Sequence, residues 1–306
     1  MKGIRIHAYG PPDRLVYEEL PNPKAGSNEV VVCVEATGVN PADYKFRNGA
    51  LAAVNPKKLP FTPGMDIAGR IESIGAEVTT LQVGDRVLAM LYVMGNGGYA
   101  EKVAVPAEWC APLPSSLDPR MAAALPTPAT TAVEWILDDL RVHQANKILV
   151  TGAAGAVGRI ACYVAKEQGA HVTAAVRTTQ VSDVRYADEV LVLDAHEQEP
   201  GGRYDCIADT IGGATAEALL PLLNEGGVLS TIATTPVTNK RDDVTVRFFG
   251  NRPDAKRLAR LAAAVAEHRL DVPAPRIMRL SEAPVAHELM ERGGAGKIVL
   301  VPDHLF

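Results

Sequence analysis

The sequence predicts an α/β protein in two regions: a small, strongly bent antiparallel β-barrel and a doubly wound parallel sheet. Three observations lead there. Short β-rich runs broken by Gly, Pro and Asn fill the first third, strands alternate with helical segments from Lys147 onward, and the change falls at the glycine-rich turn of KILVTGAAGAVG, residues 147–158. Evenly spaced short strands make barrels or sandwiches, whereas strand–helix alternation makes a parallel sheet with crossover helices.

In chain order, the early strands are EVVVCVEATGV (29–39), DIAGRIESIG (66–75), DRVLAM (85–90) and YAEKVAVP (99–106). A helical stretch around MAAALPTPATTAVEWILDDL leads onward. Six further strands are expected at 147–151, 171–176, 189–193, 204–209, 226–232 and 243–249, with ATAEALLPLL the clearest helix between them. The remainder reads helix (253–268), strand, helix (282–292) and the strand KIVLVP; having no place in a completed six-stranded sheet, this tail is expected to return to the first region. The domain boundaries so predicted are 1–118 with 269–306, and 119–268.

The 306 residues suffice for two domains at roughly 150 residues each. The formal net charge of −5 speaks against nucleic acid or an anionic membrane as partner, either of which calls for a basic patch. No run of about 18 apolar residues occurs, and MKGIRIHAYG lacks the apolar core of a signal peptide, so a cytoplasmic protein is expected. Cys33, Cys110, Cys162 and Cys206 are dispersed without a CxxC and read as buried thiols. The seven histidines (7, 143, 171, 196, 268, 287 and 304) have no ligand spacing and are assigned no catalytic role.

The turn after strand 147–151 carries Gly152, Gly155 and Gly158, with Ala153 where the first glycine of G-x-G-x-x-G would stand. Small residues there allow a tight turn, approach of a pyrophosphate and close helix–strand packing, and the N–H groups from Gly152 and Ala154 through Gly155, Ala156, Val157 and Gly158 would face the phosphates. Alone, this pattern is also that of an ordinary strand-to-helix turn. The helix that follows to Gln168 and the strand HVTAAV complete a βαβ unit and favour a dinucleotide.

ATGVNPADYKFRNG, FTPGMDIAGRIESIG, LQVGDRV, GGYAEKVAVP, VTGAAGAVG and the closing GKIVL occur in an order that resembles the medium-chain dehydrogenase/reductase superfamily, in its zinc-less quinone oxidoreductase and enoyl reductase branch. The resemblance implies a GroES-like β-barrel catalytic domain, a Rossmann domain and a cleft for NADPH. Zinc-dependent relatives keep a cysteine ligand where Asn40 stands and a His–Glu pair where Met65 and Asp66 stand, so no metal is expected. The second strand of the βαβ unit ends at Arg177 and Thr178 rather than a carboxylate, which suits the 2′-phosphate of NADP(H); the alternative is an Arg177 facing solvent. Thr131 lies where relatives border the nicotinamide, with cofactor contact and a plain structural role equally open. Thr210, Ile232, Ala233, Phe249, Gly250 and Asn251 follow later strands and are placed at the same crevice.

The resemblance also sets Asn40, Asp43 and Tyr44 beside the nicotinamide. Asn40 would donate to an enolate-like oxygen, Tyr44 would do the same or protonate the α-carbon, and Asp43 would orient the loop or the nicotinamide. The alternatives are that Asn40 and Asp43 cap the next short helix and that Tyr44 only packs. Without a metal, the expected reaction is hydride delivery from NADPH to an activated C=C of an enone, enal or enoyl thioester, a small molecule with a conjugated carbonyl. Quinone reduction is the near rival, weakened because Ala50 and Leu51 follow Gly49 where quinone-active relatives often carry a tyrosine. Tyr92 stays open between bordering the cleft and facing solvent, and a non-catalytic NADPH-binding role is the rival of another class. The run DVTVRFFG (243–250) would be an exposed sheet edge, and pairing there predicts a homodimer.

Overall fold

The computed structural model describes residues 1–53, 56, 58–92, 97–195 and 202–306; His196 and part of the run after Tyr92 lie outside them. The chain divides into two compact units, one of residues 1–127, 253–269 and 273–306, the other of residues 128–252 and 270–272.

The first unit opens on a hairpin of β1 (Lys2–Ile6) and β2 (Leu15–Glu19), strands the sequence reading did not include. Then come β3 (Glu29–Val39), α1 (Pro41–Arg47), β4 (Asp66–Ile74), β5 (Arg86–Met90), β6 (Lys102–Pro106), β7 (Cys110–Pro112) and the single turn α2 (Pro119–Ala122). β-Branched residues dominate β3, and Val30, Val32 and Val34 go to one apolar core with Ile67, Val87, Val103 and Val105. A second core gathers Ile4, Ile6, Phe46 and Tyr99 around the chain's last strands.

The chain passes into the second unit within α3 (Pro126–Glu134), whose first two residues belong to the first unit and which runs into a π-helical turn over Trp135–Asp139. It continues β8 (Lys147–Thr151), α4 (Ala156–Glu167), β9 (His171–Val176), β10 (Glu189–Val192), β11 (Tyr204–Asp209), α5 (Gly213–Leu219), β12 (Leu223–Thr231) and β13 (Thr245–Phe248). The sheet order is β10-β9-β8-β11-β12-β13 with every pair parallel. Order therefore reverses between β8 and β11, the switch point at which such sheets bind ligands.

The chain then returns to the first unit through α6 (Ala255–Ala266), β14 (Arg276–Arg279), α7 (Ala283–Arg292) and β15 (Ile298–Val301). β15 pairs antiparallel with β3 and parallel with β14, completing a seven-stranded sheet ordered β14-β15-β3-β4-β5-β7 with β6 also on β3. The sequence reading put residues 253–268 with the parallel sheet. Instead α6 groups with the first unit and packs on β7 and β5, burying Leu258, Leu261, Ala262 and Val265. An amphipathic helix advertises an apolar stripe but not which sheet it will cover. No helix among the described residues is long and apolar enough to cross a membrane. Cys110, Cys162 and Cys206 are buried, and burial pushes each thiol up to about 12; Cys33 is only half-buried.

Candidate functional site

In the parallel sheet, Thr151 lies opposite Ala175, Val192 opposite Val176, Asp209 opposite Thr231 and Thr231 opposite Phe248. The strands thus end nearly flush, and Gly152, Arg177, Thr210, Ile232 and Phe249 each follow a strand at one common edge. Asp209, fully buried, braces that edge by accepting from the Thr151 and Thr231 hydroxyls at 2.9 and 2.6 Å and from the Ile211 and Gly212 N–H groups at 3.1 and 2.8 Å. Thr210 donates twice to Thr151, its N–H to Thr151 Oγ1 and its hydroxyl to the Thr151 carbonyl.

Two glycines shape the turn. Gly152 sits at φ +60°, and a Cβ there would come within 2.3 Å of Thr210 Oγ1; at Gly158 it would lie 2.4 Å from the Gly152 carbonyl, so helix and strand could not approach as they do. Gly155 is the N-cap of α4, exposed, with no side chain capping the helix. The first-turn N–H groups have no intrahelical acceptors, and with the helix dipole they fit the pyrophosphate of a dinucleotide.

The expected 2′-phosphate readers are arranged differently from the simple reading. Arg177 is exposed and bonds only weakly through Nε to Gln180 Oε1 at 3.4 Å, but both donors of Thr178, N–H and hydroxyl, go to Asp194 Oδ1 at 2.8 and 2.9 Å. Thr178 is therefore already engaged by a carboxylate that the sequence reading did not single out. Thr131 is buried in α3. Asn251 Nδ2 donates to Thr130 Oγ1 at 2.9 Å, and Phe249 stacks on Trp135 with ring centroids 6.3 Å apart, so the 249–251 turn is docked against α3 and its π-helical end.

The first unit holds a second polar constellation, where α1 begins. Asn40 is its N-cap, 4% exposed, yet its side chain makes no cap bond. Capping comes from Asp43, whose Oδ2 accepts the Asn40 N–H at 2.8 Å and whose Oδ1 accepts the Gly64 N–H at 3.2 Å. The Asn40 carboxamide faces Asp66 and Lys297 instead: Nδ2 donates to Asp66 Oδ2 at 2.8 Å, and Lys297 Nζ donates to Asn40 Oδ1 at 2.6 Å and to Asp66 Oδ2 at 3.1 Å. Because an ammonium only donates and a carboxylate only accepts, the amide has one possible orientation. Asp66 Oδ1 takes the N–H and hydroxyl of Thr127 at 2.7 and 2.6 Å.

Behind Asp43 runs a buried chain. Tyr99 OH lies 3.4 Å from Asp43 Oδ2 and 3.2 Å from His287 Nε2, and His287 Nδ1 lies 3.4 Å from Arg47 Nη1. Arg47 also donates to the Gly10 carbonyl and to Glu291. Arginine cannot accept, so Nδ1 is the acceptor, Nε2–H donates to Tyr99, and Tyr99 donates to Asp43. Burial raises Asp43 to about 7 and, with the Arg47 charge, lowers His287 to about 3. Tyr44 stands half-buried on α1, its phenol pushed up by burial and by Glu291.

Sequence reasoning thus found Asn40 and Asp43 but missed Arg47, Tyr99, His287 and Lys297. The last stands in the GKIVL run and the third is a histidine on an apolar helix face; neither has local spacing that announces a partner more than 180 residues away. Tyr92 is 37% exposed. The residues at the zinc-ligand positions do not fit a metal: the Asn40 amide and the Asp66 carboxylate are bridged by the Lys297 ammonium, which would repel a second cation, and among the described residues no group of His, Cys, Asp or Glu is spaced to hold one.

Residues 26–115 match the alcohol dehydrogenase GroES-like domain, and residues 169–300 match the zinc-binding dehydrogenase domain. The chain is 32% identical over 249 residues to the chloroplast envelope quinone oxidoreductase homolog of Arabidopsis thaliana, covering 77% of this chain and 76% of that one. The solved quinone oxidoreductase of Coxiella burnetii superposes with a TM-score of 0.87 at 28% identity over 98% of this chain and 99% of that one. A mycobacterial protein solved in complex with NADPH superposes at 0.82 with 27% identity, covering 99% of this chain and 100% of that one.

The buried chain has an opposed pH signature. Asp43 holds its proton when folded but not when unfolded, so its contribution is full below about pH 4 and is lost as pH rises toward 7; His287 contributes above about pH 6.5 and loses that as pH falls toward 3. Between about pH 4 and 6.5 the two slopes, each about 1.4 kcal/mol per pH unit, oppose one another. Urea unfolding of His287→Gln across that window is expected to show stability falling with rising pH relative to the wild type, by about 1.4 kcal/mol per pH unit; parallel profiles would contradict this.

Proposed function

The chain belongs to the medium-chain dehydrogenase/reductase superfamily of oxidoreductases, in its quinone oxidoreductase branch, and we propose that it is an NADPH-dependent, metal-independent reductase of C=C bonds conjugated with a carbonyl. The observation that carries this reading is the Asn40 carboxamide, locked by Lys297 and Asp66 with one N–H left over. When hydride reaches the β-carbon of an enone, the electron pair moves to oxygen through the substrate's own π-system. A fixed neutral donor is then enough to stabilise it, and neither a metal nor a strong acid is needed.

Bound NADPH supplies the hydride. The uncapped start of α4 binds the pyrophosphate, and Arg177 meets the 2′-phosphate; Asp194, beside it, works against that charge and limits the preference over NADH. Asp43 holds the backbone of Asn40 and of Gly64 in place, and Tyr44, which burial keeps as the phenol, offers the proton for the α-carbon. A quinone acceptor is the second reading, favoured by the quinone oxidoreductases among the relatives. The same donor would serve it, but the apolar Ala50 and Leu51 weigh toward enones.

Oxidation of NADPH and NADH should be followed with wild type and Arg177→Ala against enoyl thioesters, alkenals, cyclic enones and quinones. The expected result is fastest turnover with an open-chain or cyclic enone and a rise in the NADPH KM, not the NADH KM, for Arg177→Ala, by about tenfold. Quinones turned over fastest would favour the second reading, and silence across the panel with tight NADPH binding would favour a non-catalytic role.

β13 is the last strand of its sheet, and Phe248 on it is 62% exposed. An open, apolar edge is a template for pairing, and we propose that two copies join there in a homodimer. Light scattering at micromolar concentration should give twice the chain mass, and Phe248→Lys should shift it to the monomer. A monomeric wild type would overturn the pairing.

A further inference from the structure

The reductase reading leaves the Lys297 ammonium without a task. Lys297, at the foot of β15, has a side chain only 8% exposed, and its ammonium closes a ring of three hydrogen bonds with Asn40 Oδ1 and Asp66 Oδ2, the third being Asn40 Nδ2 to Asp66 Oδ2. Resting on that reading, we propose that Lys297 is a positioning residue for the reduction: it orients the Asn40 amide toward the substrate oxygen and cancels the Asp66 charge behind it.

The effect of Lys297 on the amide is electrostatic. The ring uses one Asn40 Nδ2 hydrogen, and the other has no acceptor among the described residues. That second N–H is the donor available to a substrate carbonyl. Asp66 alone, 2.8 Å from Nδ2, would oppose negative charge growing on that oxygen. An ammonium 2.6 Å from Oδ1 does the reverse, drawing electron density out of the amide and strengthening the remaining N–H as a donor, because hydrogen bonds in series polarise one another. Without Lys297, Asp66 still favours the Nδ2 side, but Oδ1 loses the donor that holds it and the Asp66 charge stands uncompensated beside the N–H that must meet an oxyanion.

In the proposed reaction a bound NADPH would supply hydride to the β-carbon and be left as NADP+, the C=C pair would shift so that negative charge rests on the carbonyl oxygen, and the Tyr44 phenol would then return a proton to the α-carbon. Lys297 donates no proton in this scheme and touches no reacting atom. Its effect therefore falls on kcat, where the charge develops, and not on binding of either substrate.

Lys297→Gln keeps a donor and removes the charge; Lys297→Ala opens space for a small amine. For Lys297→Gln, kcat with the best enone is expected to fall about tenfold to a hundredfold while its KM stays within about threefold, and n-propylammonium is expected to restore part of the loss in Lys297→Ala. The side-chain amide signals of Asn40, assigned by their loss in Asn40→Asp, are expected to move in Lys297→Gln. Unmoved signals overturn the proposal whatever the activity, and a loss confined to KM, or no loss, overturns the role in the chemical step. A wild type that reduces no acceptor while the signals do move overturns the reductase reading itself and leaves only the geometric half standing. Should Lys297→Ala fail to fold, Lys297→Gln alone decides the outcome.

Discussion

Asp66 is a fully buried carboxylate on which four donors converge: the N–H and hydroxyl of Thr127, the Asn40 amide and the Lys297 ammonium. Asp66 opens β4, and its donors come from the N-cap of α1, the first turn of α3 and the residue before β15, segments far apart along the chain. Removing one partner of a buried ion pair typically costs about 3–5 kcal/mol, because the survivor is left charged and unsolvated. The pair therefore acts less as glue than as a constraint: the segments must meet in this one arrangement or leave a bare charge inside. The proposed function rests on the same constraint, because the orientation of the Asn40 amide is a consequence of it.

The parallel sheet uses a comparable device. Asp209 closes the carboxyl ends of β8, β11 and β12 with bonds from two threonine hydroxyls and two backbone N–H groups. Both units thus place a saturated buried aspartate directly beside the groups proposed to act. Asp66 fixes the direction of the Asn40 amide, and the helix itself fixes the first-turn N–H groups of α4, so that little reorganisation is needed if negative charge arrives at either.

Much of this was legible in the sequence. The six strands of the parallel sheet and the early β-rich runs follow from period and punctuation, which are local, and the return of the C-terminal strand follows from its having no place in a sheet already complete. Asn40 and Asp43 were visible as polar residues opening a short helix, and the structure separates their roles, since Asp43 does the capping and the Asn40 side chain does not. Arg177 and Thr178 were visible as the end of the second strand. What stayed hidden depended on distant contacts: Asp194 engaging Thr178, His287 reading Arg47 on one nitrogen and Tyr99 on the other, Lys297 reaching Asn40, and α6 choosing a sheet. A pairing across 188, 240 or 257 residues leaves no trace in spacing.

Neutron diffraction from the deuterated protein tests most directly whether the Asp66–Lys297 pair dictates the amide. The account predicts the Asn40 deuterons on the side of Asp66, its oxygen on the side of Lys297, and a Lys297 deuteron directed at each of the two oxygens. An amide found reversed or in both orientations, or a Lys297 side chain turned out to solvent, would contradict it.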